Sequence, residues 1–339
     1  CMQVKTATFD EAMALLHESD REDTARAAAL FEETLAQLDA KKSGTSDAAA
    51  VARRRETIRG LVTALQWSSR EDDAMAVAAN AVARGIWRDP YQRPLDFDPS
   101  IDSAPFPVAD LRTERAIAAL EANADRVGLD ALMAETRSAA MLACASDDAA
   151  GENLTSEGNW STFNLSSVPS DVADIEFPLL ANLVRSVLDE PIALPILRAR
   201  LSTLAGGTTI RAHCGPTNAR WTLHLGLDVP PESDGGALFI EVKGLRQGAV
   251  RRRWENGRVL LFDDSFEHAV VHEGSSPRTV LHIDFVAPAR AAELEKADGA
   301  LRRASSPAAR IADALSAAAR SSVGRAVGRA FGKWGGRIR

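Results

Sequence analysis

His213-Cys214-Gly215-Pro216-Thr217-Asn218-Ala219-Arg220-Trp221-Thr222-Leu223-His224 decides how this chain is read. A Gly-Pro turn separates a β-rich stretch, Thr208 to Ala212, from a second one, Arg220 to Leu227. Strand alternation places Arg220, Thr222 and His224 on one face and Trp221 and Leu223 on the other. Further along, Phe262-Asp263-Asp264-Ser265-Phe266-Glu267-His268 brings a second histidine out of an acidic turn, and Arg278 follows it. A histidine pair with a following arginine, all in strand-rich sequence, fits a mononuclear metal site that also holds a dicarboxylate. Imidazole suits iron, copper and zinc alike, so the pair alone names no metal. A carboxylate ligand two residues after the first histidine is absent, because Gly215 stands there. Asp263 and Asp264 are expected to orient a ligand through hydrogen bonds rather than to replace it.

Around this stretch, further short strands are expected at Trp160 to Leu165, Ala199 to Leu204, Ala237 to Val242, Val259 to Phe262, Ala269 to His272 and Arg278 to Phe285. Turns rich in Gly, Pro, Asp and Ser separate them, the pattern of an all-β sandwich or jelly roll. A helix is expected over Phe177 to Leu188. An inner face carrying Ser202, Arg220, Thr222, His224 and Arg278 is too polar for a plain core. Buried cations need partners, and an anionic ligand would supply one.

Upstream, helical periodicity runs through Phe9, Met13 and Leu16; Ala28, Phe31, Leu35 and Leu38; Ile58, Leu61, Val62 and Leu65; and Met75, Ala79 and Val82. Breaks at Lys41 to Ser46 and Ser68 to Arg70 divide this into helical hairpins, either tetratricopeptide-like or a plain bundle. The proline-rich stretch from Asp89 to Pro107 reads as an extended linker, and helix returns from Leu111 to Leu142. The expected organisation is a helical region over 1–88, a catalytic domain over 89–290 and a basic tail, helical or disordered, over 291–339.

Net charge is −7, which disfavours nucleic acid as a partner of the whole molecule. The tail from Leu301 onward runs against that balance, with nine Lys or Arg and a single acid, Asp313. It reads as a solvated extension, with contact to an anionic membrane as the alternative. Three cysteines make no paired framework. The sequons at Asn153, Asn159 and Asn164 are expected to be coincidental in a polar stretch. A cytoplasmic location is favoured for the chain as given, with a targeting or membrane segment ahead of Cys1 left open. Oligomeric state is not legible.

The strings His213-Cys-Gly-Pro-Thr-Asn218, His224-Leu-Gly-Leu227 and Val259-Leu-Leu-Phe-Asp-Asp-Ser-Phe-Glu-His268, with Arg278 after them, resemble the catalytic core of the aspartyl/asparaginyl β-hydroxylase family. Tyr91-Gln-Arg-Pro94, Pro105-Phe106 and Trp160-Ser-Thr-Phe163 extend the resemblance more weakly. It implies an α+β protein whose double-stranded β-helix (jelly-roll, cupin-like) domain is an iron(II)- and 2-oxoglutarate-dependent dioxygenase. The family's two-histidine site accounts for Gly215. By resemblance, His213 and His268 bind iron and Arg278 and Ser202 hold the far carboxylate of 2-oxoglutarate. His224 lies near its other end, Trp160 walls the pocket, and O2 is the second cosubstrate. Hydroxylation of an Asp or Asn β-carbon in a peptide or protein is implied; a lipid acyl chain, or a non-catalytic binding module, are the alternatives. Arg220 and Thr222 fall where the family contacts substrate, but the family's second arginine is here Thr222. Thr162 stands where animal members carry Gln, and their cysteine pair before the first iron histidine is missing.

Overall fold

A computed structural model describes residues 3–18, 21–40, 48–143, 154–168, 170–234 and 237–301. The basic tail beyond Leu301 and the sequon at Asn153 lie outside the described residues.

The chain begins with helices α1 (Gln3–Glu18), α2 (Arg21–Ala40), α3 (Ala48–Trp67) and α4 (Glu71–Ala83), each packed on the next. Their core is built from Phe9, Leu16, Phe31, Ile58, Leu61 and Leu65, on the spacings expected. On α4 the buried stripe is Ala74, Ala78 and Ala81, one residue out of phase with the expected Met75, Ala79 and Val82. Close helix packing favours the methyl of alanine, which costs no side-chain entropy, over the larger methionine. Consecutive pairing of this kind suits a tetratricopeptide array and a plain bundle equally.

The helix expected over Leu111 to Leu142 is two helices, α5 (Leu111–Val127) and α6 (Leu129–Ala143). Asp110 caps α5 by accepting from the Thr113 amide at 2.9 Å. Gly128 ends it with φ +88°, a left-handed conformation open to glycine at no steric cost. A short helix α7 (Ser170–Glu176), too polar to show an apolar stripe in sequence, precedes α8 (Pro178–Leu188). α8 buries Leu180, Leu183 and Val187.

The strands are β1 (Thr155–Glu157), β2 (Trp160–Asn164), β3 (Ile196–Leu204), β4 (Thr208–His213), β5 (Arg220–Asp228), β6 (Leu238–Gly244), β7 (Gly248–Arg252), β8 (Val259–Phe262), β9 (His268–His272) and β10 (Arg278–Val286); helix α9 (Pro288–Leu301) follows. Among the described residues they form two five-stranded sheets, ordered β2-β3-β10-β5-β8 and β1-β4-β9-β6-β7, with antiparallel pairing throughout. From β3 the chain passes back and forth between the sheets, apart from the β6–β7 hairpin, which is the winding of a jelly roll. Long buried runs need cover on both faces. β5 and β10, buried along almost their whole length, have it. Outward-facing Leu223, Leu225, Leu281 and Ile283 pack with Leu120, Leu132, Leu180 and Val187 of α5, α6 and α8. Inward-facing residues meet the second sheet, where Val242, Trp254, Leu260, Phe262 and Val280 fill one part of the interior. β6 alternates buried and half-exposed, as a strand covered on one face should. No described helix is long and apolar enough to cross a membrane.

Candidate metal centre and anion pocket

His213 ends β4 and His268 begins β9, and the two are cross-strand partners. Their rings lie 4.1 Å apart, centroid to centroid. Each ring is anchored by a backbone carbonyl two residues upstream: His213 Nδ1 donates to Arg211 O at 2.8 Å, and His268 Nδ1 donates to Phe266 O at 2.9 Å. A carbonyl only accepts, so the proton of each neutral ring sits on Nδ1 and Nε2 keeps its lone pair. Burial pushes His213 down to about 4 and His268 down to about 3. Near neutral pH the site therefore offers two unprotonated, pre-oriented imidazoles, which is what a metal requires.

Among the described residues no group of three or more His, Cys, Asp or Glu side chains is arranged to hold a metal. Gly215 has a packing reason: a Cβ there would collide with the carboxylate of Asp264. That carboxylate is paired with Arg220. The expectation that Asp263 or Asp264 orients a ligand by hydrogen bonding is corrected, since neither bonds a histidine. Asp263 instead accepts from the Ser265 amide at 2.9 Å within its own turn, and burial holds its carboxyl well above the usual range. The backbone orients the imidazoles, something residue types alone do not reveal.

Arg278, at the start of β10, is 2% exposed, and its Nε and Nη1 have no hydrogen-bond partner. Its guanidinium carbon lies 4.5 Å from the centre of the Trp254 ring. Burial alone pulls it down to about 9. A buried cation without an anion is costly, and an anionic group is the chemistry that would offset that cost here. Ser202 projects from the adjacent strand, two positions from the register partner of Arg278, and its Oγ accepts from Trp160 Nε1 at 3.0 Å. Register thus sets Trp160 and Arg278 on either side of Leu204, with Ser202 two positions along the same strand.

His224 does not stand free beside them. Trp254 Nε1 donates to His224 Nδ1 at 3.1 Å, so the neutral ring carries its proton on Nε2 and gives it to His282 Nδ1 at 3.0 Å. His282 Nε2 in turn donates to Asp284 Oδ1 at 2.8 Å. Burial holds His224 well below its ordinary value and His282 at about 3, so both rings are neutral. Asp284 also accepts from Thr222 Oγ1 at 3.0 Å and from Arg198 at 2.8 Å, and Arg220 lies 3.7 Å away. Those cations and the His282 contact keep its carboxyl well below the usual range. Both ring nitrogens of His224 are therefore engaged within the protein, and Arg220 and Thr222 are engaged by aspartates. His282 and Asp284 share the Arg278 face of β10 by alternation, but their partners lie across the sheet on β3 and β5.

Residues 127–288 match the family model described as aspartyl/asparaginyl beta-hydroxylase. The human aspartate beta-hydroxylase domain-containing protein 2 is 37% identical over 145 residues, covering 40% of this chain and 36% of that one. The mouse aspartyl/asparaginyl beta-hydroxylase is 34% identical over 135 residues, covering 39% of this chain and 17% of that one. The chain thus spans little more than a third of the first relative's length and less of the second's. Among solved structures, a Pseudomonas putida prolyl-4-hydroxylase covers 49% of this chain and 98% of its own, at 12% identity and a TM-score of 0.34, too distant a likeness to bear on the chemistry.

Proposed function

We propose that this chain, whose residues 127–288 match the aspartyl/asparaginyl β-hydroxylase family model, is an iron(II)- and 2-oxoglutarate-dependent hydroxylase of an unactivated C–H bond. The observation that carries the reading is the buried guanidinium of Arg278, whose Nε and Nη1 have no hydrogen-bond partner, in the same jelly-roll interior as two neutral imidazoles whose Nε2 lone pairs are uncommitted.

The donor set fits the group. Two nitrogen ligands without thiolate suit a borderline metal such as iron(II), and leave coordination positions open for a cosubstrate and O2. When bound, the iron would supply activation of O2, one oxygen atom being accounted for by the decarboxylation of 2-oxoglutarate to succinate and the other by the hydroxylated product. The protein's part is positioning. His213 and His268 hold the metal. Arg278, with the Ser202 hydroxyl fixed by Trp160, holds the distal carboxylate by charge-assisted hydrogen bonds. Trp254 sets the position of that guanidinium and the tautomer of His224 at once.

For the acceptor, the β-carbon of an Asp or Asn in a peptide or protein remains the first reading. A second, the same chemistry on a lipid acyl chain, gains support from one feature: Arg220 and Thr222 are committed to Asp264 and Asp284 rather than presented to a substrate carboxylate. An asparagine amide fits the first reading better than an aspartate does, for the same reason.

The test is uncoupled turnover. Iron-loaded protein with 2-oxoglutarate should release succinate, and His268→Ala should reduce that release to background. Metal binding with no succinate from the wild-type protein sinks the enzyme reading and leaves a binding module of the same fold. A mass screen of peptide against acyl substrates, reading the gain of one oxygen, then separates the two acceptors.

A further inference from the structure

We infer that the N-terminal helices are a positioning element of the metal centre, through a polar clamp in which helix α3 grips the flanks of both histidine-bearing segments. The inference rests on the metal reading given above.

A two-histidine centre has few protein tethers, so its bite depends on how firmly two chain segments are held apart. The sheet does this incompletely. The β4–β9 register is interrupted between Ile210 and His213, and His213 is the last residue of its strand. Beyond it, from Cys214 to Ala219, the chain makes only an isolated bridge, between Thr217 and Asp96. Just there, Arg59 of α3 donates from Nη2 to Cys214 O at 2.6 Å and from Nη1 to Gly215 O at 3.2 Å. Trp67 Nε1, at the end of the same helix, faces Ala212 O at 3.4 Å. The carbonyls on both sides of His213 are thus bonded by one helix.

The same helix reaches the other histidine. Gln66 Nε2 donates to Glu267 Oε2 at 2.6 Å, directly before His268. Arg93 donates to that same oxygen at 2.6 Å, and Lys243 pairs with Oε1 at 3.0 Å. Arg93 and Glu267 are almost fully buried, and the flanking cations hold the Glu267 carboxyl down at about 2. The Glu267 amide completes the joint by donating to Tyr91 O at 2.6 Å. Arg59 and Gln66 are seven residues apart on α3, two helical turns along one face. The side chains that bracket His213 and His268 therefore share one rigid rod. An unrelated packing surface would have no need of a guanidinium forked over two successive carbonyls beside a ligand.

Arg59 and Gln66 touch neither metal nor substrate, so they are positioning residues; groups bonded directly to a metal ligand are worth roughly 10- to 100-fold in metal affinity, and these, bonded to the ligands' chain neighbours, are expected at the lower end. The test uses the full chain with Co(II) as probe, reading both the dissociation constant and the visible ligand-field spectrum, with thermal melting alongside. Arg59→Met should weaken Co(II) binding about tenfold or more and alter the spectrum. Arg59→Lys, which can keep one carbonyl bond, should recover part of the loss. Gln66→Leu should act in the same direction; Gln66 lines a cavity of about 580 Å³, so water can fill the space it leaves. Arg54→Met is the control: Arg54 is on the same helix but pairs with Asp39 of α2, and its loss should leave binding unchanged. In metal-free protein, amide hydrogen exchange across residues 212–215 should speed up in Arg59→Met and not in Arg54→Met. Wild-type affinity and spectrum in Arg59→Met overturn the clamp. If Arg59→Met does not fold, wild-type affinity and spectrum in Arg59→Lys and Gln66→Leu overturn it equally. A wild-type protein that fails to bind Co(II), with the exchange difference intact, sinks the metal reading and leaves the clamp standing.

Discussion

Two histidine pairs sit inside the same jelly roll, and they are built to opposite ends. His213 and His268 lie 4.1 Å apart with Nδ1 bonded to the backbone and Nε2 left without a protein partner. His224 and His282 lie 4.5 Å apart with every ring nitrogen engaged, by Trp254, by each other and by Asp284. Burial keeps both pairs neutral. Residue type, spacing and protonation therefore do not separate a ligand pair from a structural one. What separates them is which nitrogens the protein has already used.

Breaking each pair should have different consequences. The largest effect on stability is expected from Asp284→Ala, which leaves Arg198 and His282 without their shared acceptor. Removing one partner of a buried charged network costs about 3–5 kcal/mol. Chemical denaturation should report that loss while Co(II) affinity changes little; an equal fall in metal affinity would mean that the two pairs are one unit. Next comes Arg278→Met. A charge-assisted hydrogen bond contributes about 1.5–3 kcal/mol, so 2-oxoglutarate should bind roughly 10- to 150-fold more weakly. The ligand-free protein should melt no lower, since an uncompensated buried cation is removed. Unchanged 2-oxoglutarate affinity would show that the anion lies elsewhere.

The smallest effect sharpens the comparison through pH. His282 takes up its proton near pH 3 when folded and near 6.5 when unfolded. Between those values the unfolded chain binds more protons, so stability falls as pH falls through that window. From pH 6.5 to pH 5 this group should contribute on the order of 1–2 kcal/mol of loss. His282→Leu should make the acid limb of a stability–pH curve shallower, and an unaltered limb would show that His282 does not set it.

Much of the fold was legible because alternation and turn chemistry are local. The strands bearing Ser202, His213, His224 and Arg278 fall where pattern places them, within a residue or three at their ends. β7 was not anticipated: four of its five residues are exposed, so an edge strand without an apolar face leaves no alternation to read. The two-residue face rule also put Arg220, Thr222 and His224 together, correctly, on the inner face. It could not say that Asp264 would lie against Gly215 and take Arg220, or that His282 would take His224.

Sequence by itself determined the element pattern, the polar inner face and the two histidines with their following arginine, because each depends on residues near one another in the chain. Tertiary structure decided which nitrogens are spent, that a side chain at position 215 would crowd Asp264, that Arg278 is buried away from any described carboxylate, and that helix α3 reaches across to both ligand segments. Those outcomes depend on hydrogen-bond partners brought together from distant parts of the chain, and a donor's partner is a property of the folded interior, not of the residue that carries it.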